Sequence, residues 1–158
     1  MKTKYFVFFV TLLAVVLLDQ FLKLYISSHF LPYESVGVIP GFLDLTHVKN
    51  PGAAFGFLAD APPVFRSFFL IIVTLIAMIL ILYFIAKGSE REVLLTFSLS
   101  LIMGGALGNL IDRVRYGEVI DFLDFYFASY HWPAFNVADT AITIGALLLL
   151  YEIFRRRT

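Results

Sequence analysis

Two uncharged runs, Phe68–Ala86 and Val93–Ile111, flank the short polar connection KGSERE, and this pair constrains the chain more than any other feature. Each run is close to the roughly 20 apolar residues a helix needs to cross ~30 Å of hydrocarbon. Inside a bilayer every backbone amide must find its partner within the protein, so two such runs joined by so short a link read as a hairpin of two spanning helices. Composition agrees: the chain is 60% hydrophobic and only 15% charged, more apolar than a soluble domain of its size.

The two ends of the chain are less uniform. Tyr5–Leu18 is uncharged but runs into Asp19, Gln20 and Lys23, and Thr140–Tyr151 runs into Glu152. The first resembles a secretory leader, with Lys2 and Lys4 ahead of an apolar core, but no small-x-small cleavage site follows it, so it reads as a retained span. Extending it to Ile26 sets Asp19 and Gln20 in the outer part of the bilayer. Extending the last run from near Asn136 to Phe154 supplies a fourth helix. The expected spans are 5–26, 66–86, 91–112 and 137–154, within a single domain covering 1–158.

Lys2, Lys4, Lys87, Arg91 and Arg155–Arg157, most of the twelve Lys and Arg, fall on one side of this arrangement. The excess of positive charge orients both termini and the KGSERE loop toward the cytoplasm. In that loop Gly88 is expected to close the second helix, and Ser89 with Glu92 has the spacing of a capping box for the third. Residues 27–63 and 116–134 then lie outside the cytoplasm. The LDLTHV stretch, Leu43–Val48, predicts a short strand, and NPGAAFGF, Asn50–Phe57, a turn followed by an interfacial apolar piece. The fold class expected is an all-α membrane protein: four transmembrane helices with a small extracytoplasmic β element and an interfacial segment. With no cysteine, no disulfide holds that outer cap.

The chemistry open to such a chain narrows by elimination. It has no thiol nucleophile, and its three histidines lack the H-E-x-x-H spacing that sets two ligands on one helical face around zinc. No serine sits in a Gly-flanked elbow. Carboxylates remain. Asp121, in VIDF, has apolar neighbours on both sides, and Asp139 opens the fourth helix; adjacent antiparallel helices would bring the two positions together. Asp139 has a second reading, as an acid three residues beyond an Asn136 cap. Asp124 and Glu118 read as solvated loop residues. Two close carboxylates cannot both ionise cheaply, so one keeps a proton while the other has lost it, which supplies an acid and a base together.

LDQ (Leu18–Gln20), NPGAAF (Asn50–Phe55), GALGNLIDR (Gly105–Arg113), GEVIDF (Gly117–Phe122) and PAFNVAD (Pro133–Asp139) occur in this order, and together they resemble the bacterial lipoprotein signal peptidases, the signal peptidase II family. The resemblance spans nearly the whole chain. It implies an aspartic endopeptidase of the bacterial cytoplasmic membrane that cuts prolipoproteins just before a diacylglyceryl-modified cysteine. It places the catalytic pair on Asp121 and Asp139, near the outer face. It also implies pocket-lining or supporting roles for Asn50, Gly105, Gly108, Asn109, Arg113 and Asn136, and structural polar contacts for Asp19.

Each supporting residue also has a plainer reading. The glycines suit close helix packing, Asn109 and Asn136 suit broken helix ends, and Arg113 suits an ion pair with Asp112. Tyr116, Tyr126, Tyr130 and Trp132 read as interfacial anchors. The expected partners are a lipid-modified prolipoprotein and membrane lipids, with no nucleic acid, the protein acting as a monomer without metal or cofactor. A sideways-opening groove between helices suits such a substrate, with NPGAAFGF as its lid. A small transporter is the competing class, but the two halves show no inverted repeat.

Overall fold

The computed structural model describes residues 3–52, 58 and 60–156. Four helices, α1 (Thr3–His29), α2 (Pro63–Lys87), α3 (Val93–Tyr116) and α4 (Val137–Arg155), are each long and apolar enough to cross a membrane. Four antiparallel strands, β1 (Ser35–Ile39), β2 (Leu43–Asn50), β3 (Val119–Phe127) and β4 (Tyr130–His131), form a small sheet in the order β1-β2-β3-β4. The molecule is thus mostly helical, with a minor β cap at one end of a four-helix bundle.

The helices begin and end where local chemistry dictates. Pro62 caps α2 and Pro63 opens it, where a missing N–H costs nothing. Gly117 ends α3 in the left-handed region at φ 76°, its N–H donating to the Arg113 carbonyl. Asn136 caps α4 with a complete capping box, its side chain accepting from Asp139 N while the Asp139 carboxylate accepts from Asn136 N.

The tight α2–α3 hairpin follows its sequence reading in part. Gly88 closes α2 as expected, with extended backbone and its N–H donating to the Phe84 carbonyl, and a Cβ there would stand a tight 3.1 Å from that carbonyl oxygen. The capping box is only half made: Glu92 accepts from Ser89 N, but the Ser89 hydroxyl accepts from Arg91 N, and α3 starts only at Val93. Lys4 reaches across from α1 to donate to the carbonyls of Ala86 and Gly88. Arg156 pairs with Glu92 and Glu152. The positive end of the bundle is therefore tied by side chains from three helices.

Packing is inside out. Phe8, Ile81, Ile85, Leu99 and Met103 form an apolar core between α1, α2 and α3. Many large apolar side chains, Leu17, Phe21, Leu24, Phe68, Ile79 and Leu147 among them, face outward, as a lipid solvent allows. A second core joins the cap to the bundle: Ile26 of α1 packs on Ile120 and Phe122 of β3. β3 lies between β2 and the Phe135 segment, whose backbone bonds with Phe122 and Leu123 lead straight into α4.

That β3 includes the whole of Val119–Phe127 differs from the outer loop expected there. The stretch from Val119 to Phe122 is buried on both faces, so it carries no alternation from which a strand is recognised. The expected lid segment lies largely outside the described residues, at positions 53–57.

α3 meets α1 and α4 at distances that leave no room for side chains. A Cβ at Gly105 would sit 2.2 Å from the Ala138 carbonyl oxygen, and one at Gly108 would sit 2.5 Å from Asp19 Oδ2. Gly105→Ala should therefore push α4 from α3 and cost roughly 2 kcal/mol or more, read as a lower thermal midpoint and folded yield in detergent. Gly37→Ala, where the nearest atom would be at 3.5 Å, should leave both unchanged; equal behaviour of the two variants would refute the packing argument.

Candidate active site

Asp121 and Asp139 come to the same place from different elements. Asp121 sits in β3, which β2 flanks with Val48 opposite it, and it is only 2% exposed. Asp139 occupies the first turn of α4, where the capping box fixes the main chain. Both line one cavity of about 690 Å³. Its other polar wall is Asn50, Asn109, Arg113 and Thr140, while Leu70, Val73, Ala77, Ile102, Ile142 and Ile144 give it an apolar flank built from α2, α3 and α4.

Three asparagines hold the carboxylates. Asn50 Nδ2 donates to Asp121 Oδ2 at 3.0 Å, and Asn136 Nδ2 donates to Asp121 Oδ1 at 2.7 Å. Asn109 Nδ2 donates to Asp139 Oδ1 at 2.8 Å. Every donor here is an amide N–H, the group that suits a carboxylate acceptor. Burial nonetheless dominates at Asp121: desolvation, with the nearby Asp139 charge adding to it, raises its pKa from 3.8 to about 7. The amides of Asn50 and Asn136 oppose that rise without cancelling it.

Arg113 projects into the same cavity. Its Nη2 donates to the Gly52 carbonyl at 3.0 Å, and among the described residues its buried Nε has no hydrogen-bond partner. Of the two sequence readings of Arg113, a place in the pocket and an ion pair with Asp112, the contacts among the described residues match the first. Asp112 turns the other way, to Lys23 Nζ at 2.9 Å, Gln20 Nε2 at 2.9 Å and the backbone N–H of Ile120 at 3.1 Å. Successive helical residues point about 100° apart, so one helix face serves the cavity and the next serves α1.

Of the residues singled out from the sequence, Asn50, Asn109, Arg113, Asp121 and Asp139 line the cavity. Asn136 lies just behind it, fully buried, bridging Asp121 and Asn109. Gly105 and Gly108 set helix separation, and Asp19 accepts from the Ala138 N–H at 2.9 Å, fixing the start of α4. Asp124, read as a loop residue, is instead a half-buried strand residue that pairs with His131 on β4. Trp132 lines the cavity, whereas Tyr126 stacks on His131 and accepts from Gly41 N, so neither is a simple anchor.

Lys23 went unread as a site-forming residue. Its signal was the spacing to Asp19, four residues apart on one helical face, inside a stretch otherwise apolar enough to span. No group of three or more His, Asp or Glu side chains able to hold a metal occurs among the described residues.

Comparison with known proteins gives the family and the fold. The family described as signal peptidase (SPase) II matches residues 11–155. The chain is 52% identical to a lipoprotein signal peptidase of Syntrophus aciditrophicus, covering 99% of this chain and 98% of that protein. It is 46% identical to one of Geobacter sulfurreducens, over 98% of this chain and 96% of the relative. A solved bacterial membrane enzyme shares the fold with a TM-score of 0.87 at 36% identity, covering 96% of this chain and 89% of its own. Four spanning helices, a carboxylate-lined cavity and similarity along nearly the whole length lead to one conclusion: the chain belongs to the signal peptidase II family, the lipoprotein signal peptidases, membrane hydrolases that remove signal peptides from prolipoproteins.

Proposed function

We propose that this chain is an aspartic endopeptidase that cuts a prolipoprotein just before a diacylglyceryl-modified cysteine, with Asp121 and Asp139 as the acid and base and water as the nucleophile. One observation carries the reading: two carboxylates on separate elements meet at the polar end of a single cavity that also has a broad apolar flank. The apolar flank suits acyl chains, and the polar end suits a peptide bond. α2 and α4 both pack on α3 and both line the cavity, and the substrate would enter sideways between these helices from lipid.

In the proposed reaction Asp139 takes a proton from water as the oxygen attacks the scissile carbonyl carbon, and Asp121 gives its proton to the carbonyl oxygen. The tetrahedral intermediate then collapses. Its hydroxyl proton returns to Asp121, the proton held by Asp139 passes to the leaving nitrogen, and the C–N bond breaks. Both carboxyls end as they began. Arg113, whose side chain lines the cavity, donates to a substrate carbonyl and fixes its register.

The bundle's charge supports an orientation with this site near the outer face. Lys4, Lys87, Arg91, Arg155 and Arg156 gather at the end opposite the aspartates, which the positive-inside pattern assigns to the cytoplasm.

Asp121→Asn and Asp139→Asn keep size and hydrogen-bonding capacity while removing acid–base chemistry. Each should lower turnover of a diacylglyceryl-modified precursor at least ~100-fold, with binding of a non-cleavable analogue retained and the double variant hardly worse. Asp124→Asn should keep most activity. Turnover near wild type for either of the first two would sink the pair.

The raised pKa of Asp121 adds a pH test. Folded, Asp121 holds its proton up to about 7, whereas unfolded it releases it near 3.8. Its contribution to stability is thus fully present below about pH 4 and is lost as pH rises through 7. Asp121→Asn should therefore raise the thermal midpoint by about 3 °C or more at pH 8 and by much less at pH 4, and wild-type turnover should fall on the alkaline side through pH ~7. A midpoint gain independent of pH would contradict the burial of an ionisable group at this position.

A further inference from the structure

All three asparagine amides around the aspartates point their nitrogen at a carboxylate, and in each case something else has claimed the amide oxygen. Asn50 Oδ1 accepts from Gly52 N at 2.9 Å, and Asn136 Oδ1 accepts from Asp139 N at 2.9 Å. Those two are oriented by the main chain of their own turn or cap. Asn109 is different. Its Oδ1 accepts from Lys23 Nζ of α1 at 2.9 Å and from Asn136 Nδ2 at 3.2 Å.

Lys23 is 1% exposed, and its three protons have three acceptors: Asp19 Oδ2, Asp112 Oδ2 and Asn109 Oδ1, each at 2.9 Å. An ammonium has donors and no acceptor, so the Asn109 atom facing it must be the oxygen. The Asn109 nitrogen is thereby turned to Asp139 Oδ1. A flipped amide would set its N–H groups against the Lys23 ammonium and the Asn136 amide, and its carbonyl oxygen against the Asp139 carboxylate. That arrangement is tolerable only if Asp139 carries a proton to donate, the wrong starting form for a base.

We infer that Lys23 is a positioning residue of the reaction, its ammonium acting through Asn109 to hold Asp139 as a proton acceptor. The inference rests on the reading of Asp139 as the base. Lys23 touches neither aspartate of the pair in this network; it works at one remove, from the helix farthest in sequence from the α4 cap. It is also distinct from the structural part Lys23 plays between Asp19 and Asp112, because only the third proton reaches Asn109.

Removing Lys23 alone would strand two buried carboxylates, so the test removes a charge pair. Asp112→Asn keeps the Lys23–Asn109 bond and serves as the reference for Lys23→Met/Asp112→Asn. Both purified variants are compared per folded molecule on a diacylglyceryl-modified precursor, alongside Asn109→Ala in each background. The expected result is a kcat about tenfold lower in Lys23→Met/Asp112→Asn than in Asp112→Asn, with KM unchanged. Asn109→Ala should reproduce that loss in the Asp112→Asn background, and adding Lys23→Met to it should cost nothing more, since both changes break one relay.

Equal kcat in the two Asp112→Asn backgrounds, or losses from Lys23→Met and Asn109→Ala that multiply, would make Lys23 structural only and overturn the inference. If Lys23→Met/Asp112→Asn yields no folded protein, Asn109→Ala in otherwise wild-type protein decides: undiminished kcat with Lys23 in place overturns the relay. An active Asp139→Asn would instead remove the base itself, and so marks failure of the underlying reading rather than of the relay alone.

Discussion

The Lys23 ammonium, wedged between the carboxylates of Asp19 and Asp112 with almost no exposure, is the interaction on which the outer half of the molecule depends. Burying three charges is costly, and such a cluster is tolerable only when every remaining lone pair and proton is used. Here they are used on the backbone of other elements. Asp19 Oδ1 takes the Ala138 N–H at the start of α4, Asp112 Oδ2 takes the Ile120 N–H in β3, and Gln20 bridges Asp19, Asp112 and the Gly108 carbonyl. One polar centre therefore joins α1, α3, β3 and α4. In a bilayer, where apolar contact between helices gains little over contact with lipid, polar links and close packing of small residues carry most of the specificity.

The glycines of α3 belong to the same device. Gly108 leaves room for the Asp19 carboxylate, and Gly105 lets the Ala138 carbonyl approach α3 directly. Asp19 can reach the α4 terminus only because the helices come this close, and α4 can present Asp139 to the cavity only because its first turn is fixed there. Close packing and polar linkage are thus two descriptions of one constraint. The opposite end is tied more loosely in kind, by Lys4 on the carbonyls that end α2 and by arginines on Glu92 and Glu152. The Arg156 hydrogen bond holds the Glu92 carboxyl below its ordinary range, but the arginines of these pairs are exposed to solvent, where ion pairs contribute little.

The helices and the two aspartates were legible because each left a local mark: uncharged runs of spanning length, an asparagine followed by an acid three residues on, and a carboxylate set among apolar residues. What the sequence withheld was long-range. β3 is buried on both faces between β2 and the Phe135 segment, so it shows no period. Lys23 and Asp19 have helical i,i+4 spacing, which marks an ion pair without saying that it is buried or what else it holds. Each miss concerns which face of an element meets which neighbour, a property of the assembled bundle and not of any window of residues.

The two aspartates also occupy unlike sites, and the difference bears on the acid and base roles proposed for them. Asp121 projects from a strand whose flanking residues are all buried, with an asparagine nitrogen on each oxygen and no backbone donor to its carboxylate among the hydrogen bonds described. Desolvation outweighs those amides and leaves a group that keeps its proton to about pH 7. Asp139 sits at the N-terminus of α4, where its carboxylate accepts from the Asn136 N–H and from Asn109. Two identical side chains are thus set apart by the elements that present them. The proposed dyad would need no difference in residue type to separate donor from acceptor, provided that strand and helix terminus are held together, and holding them together is what the buried lysine centre does.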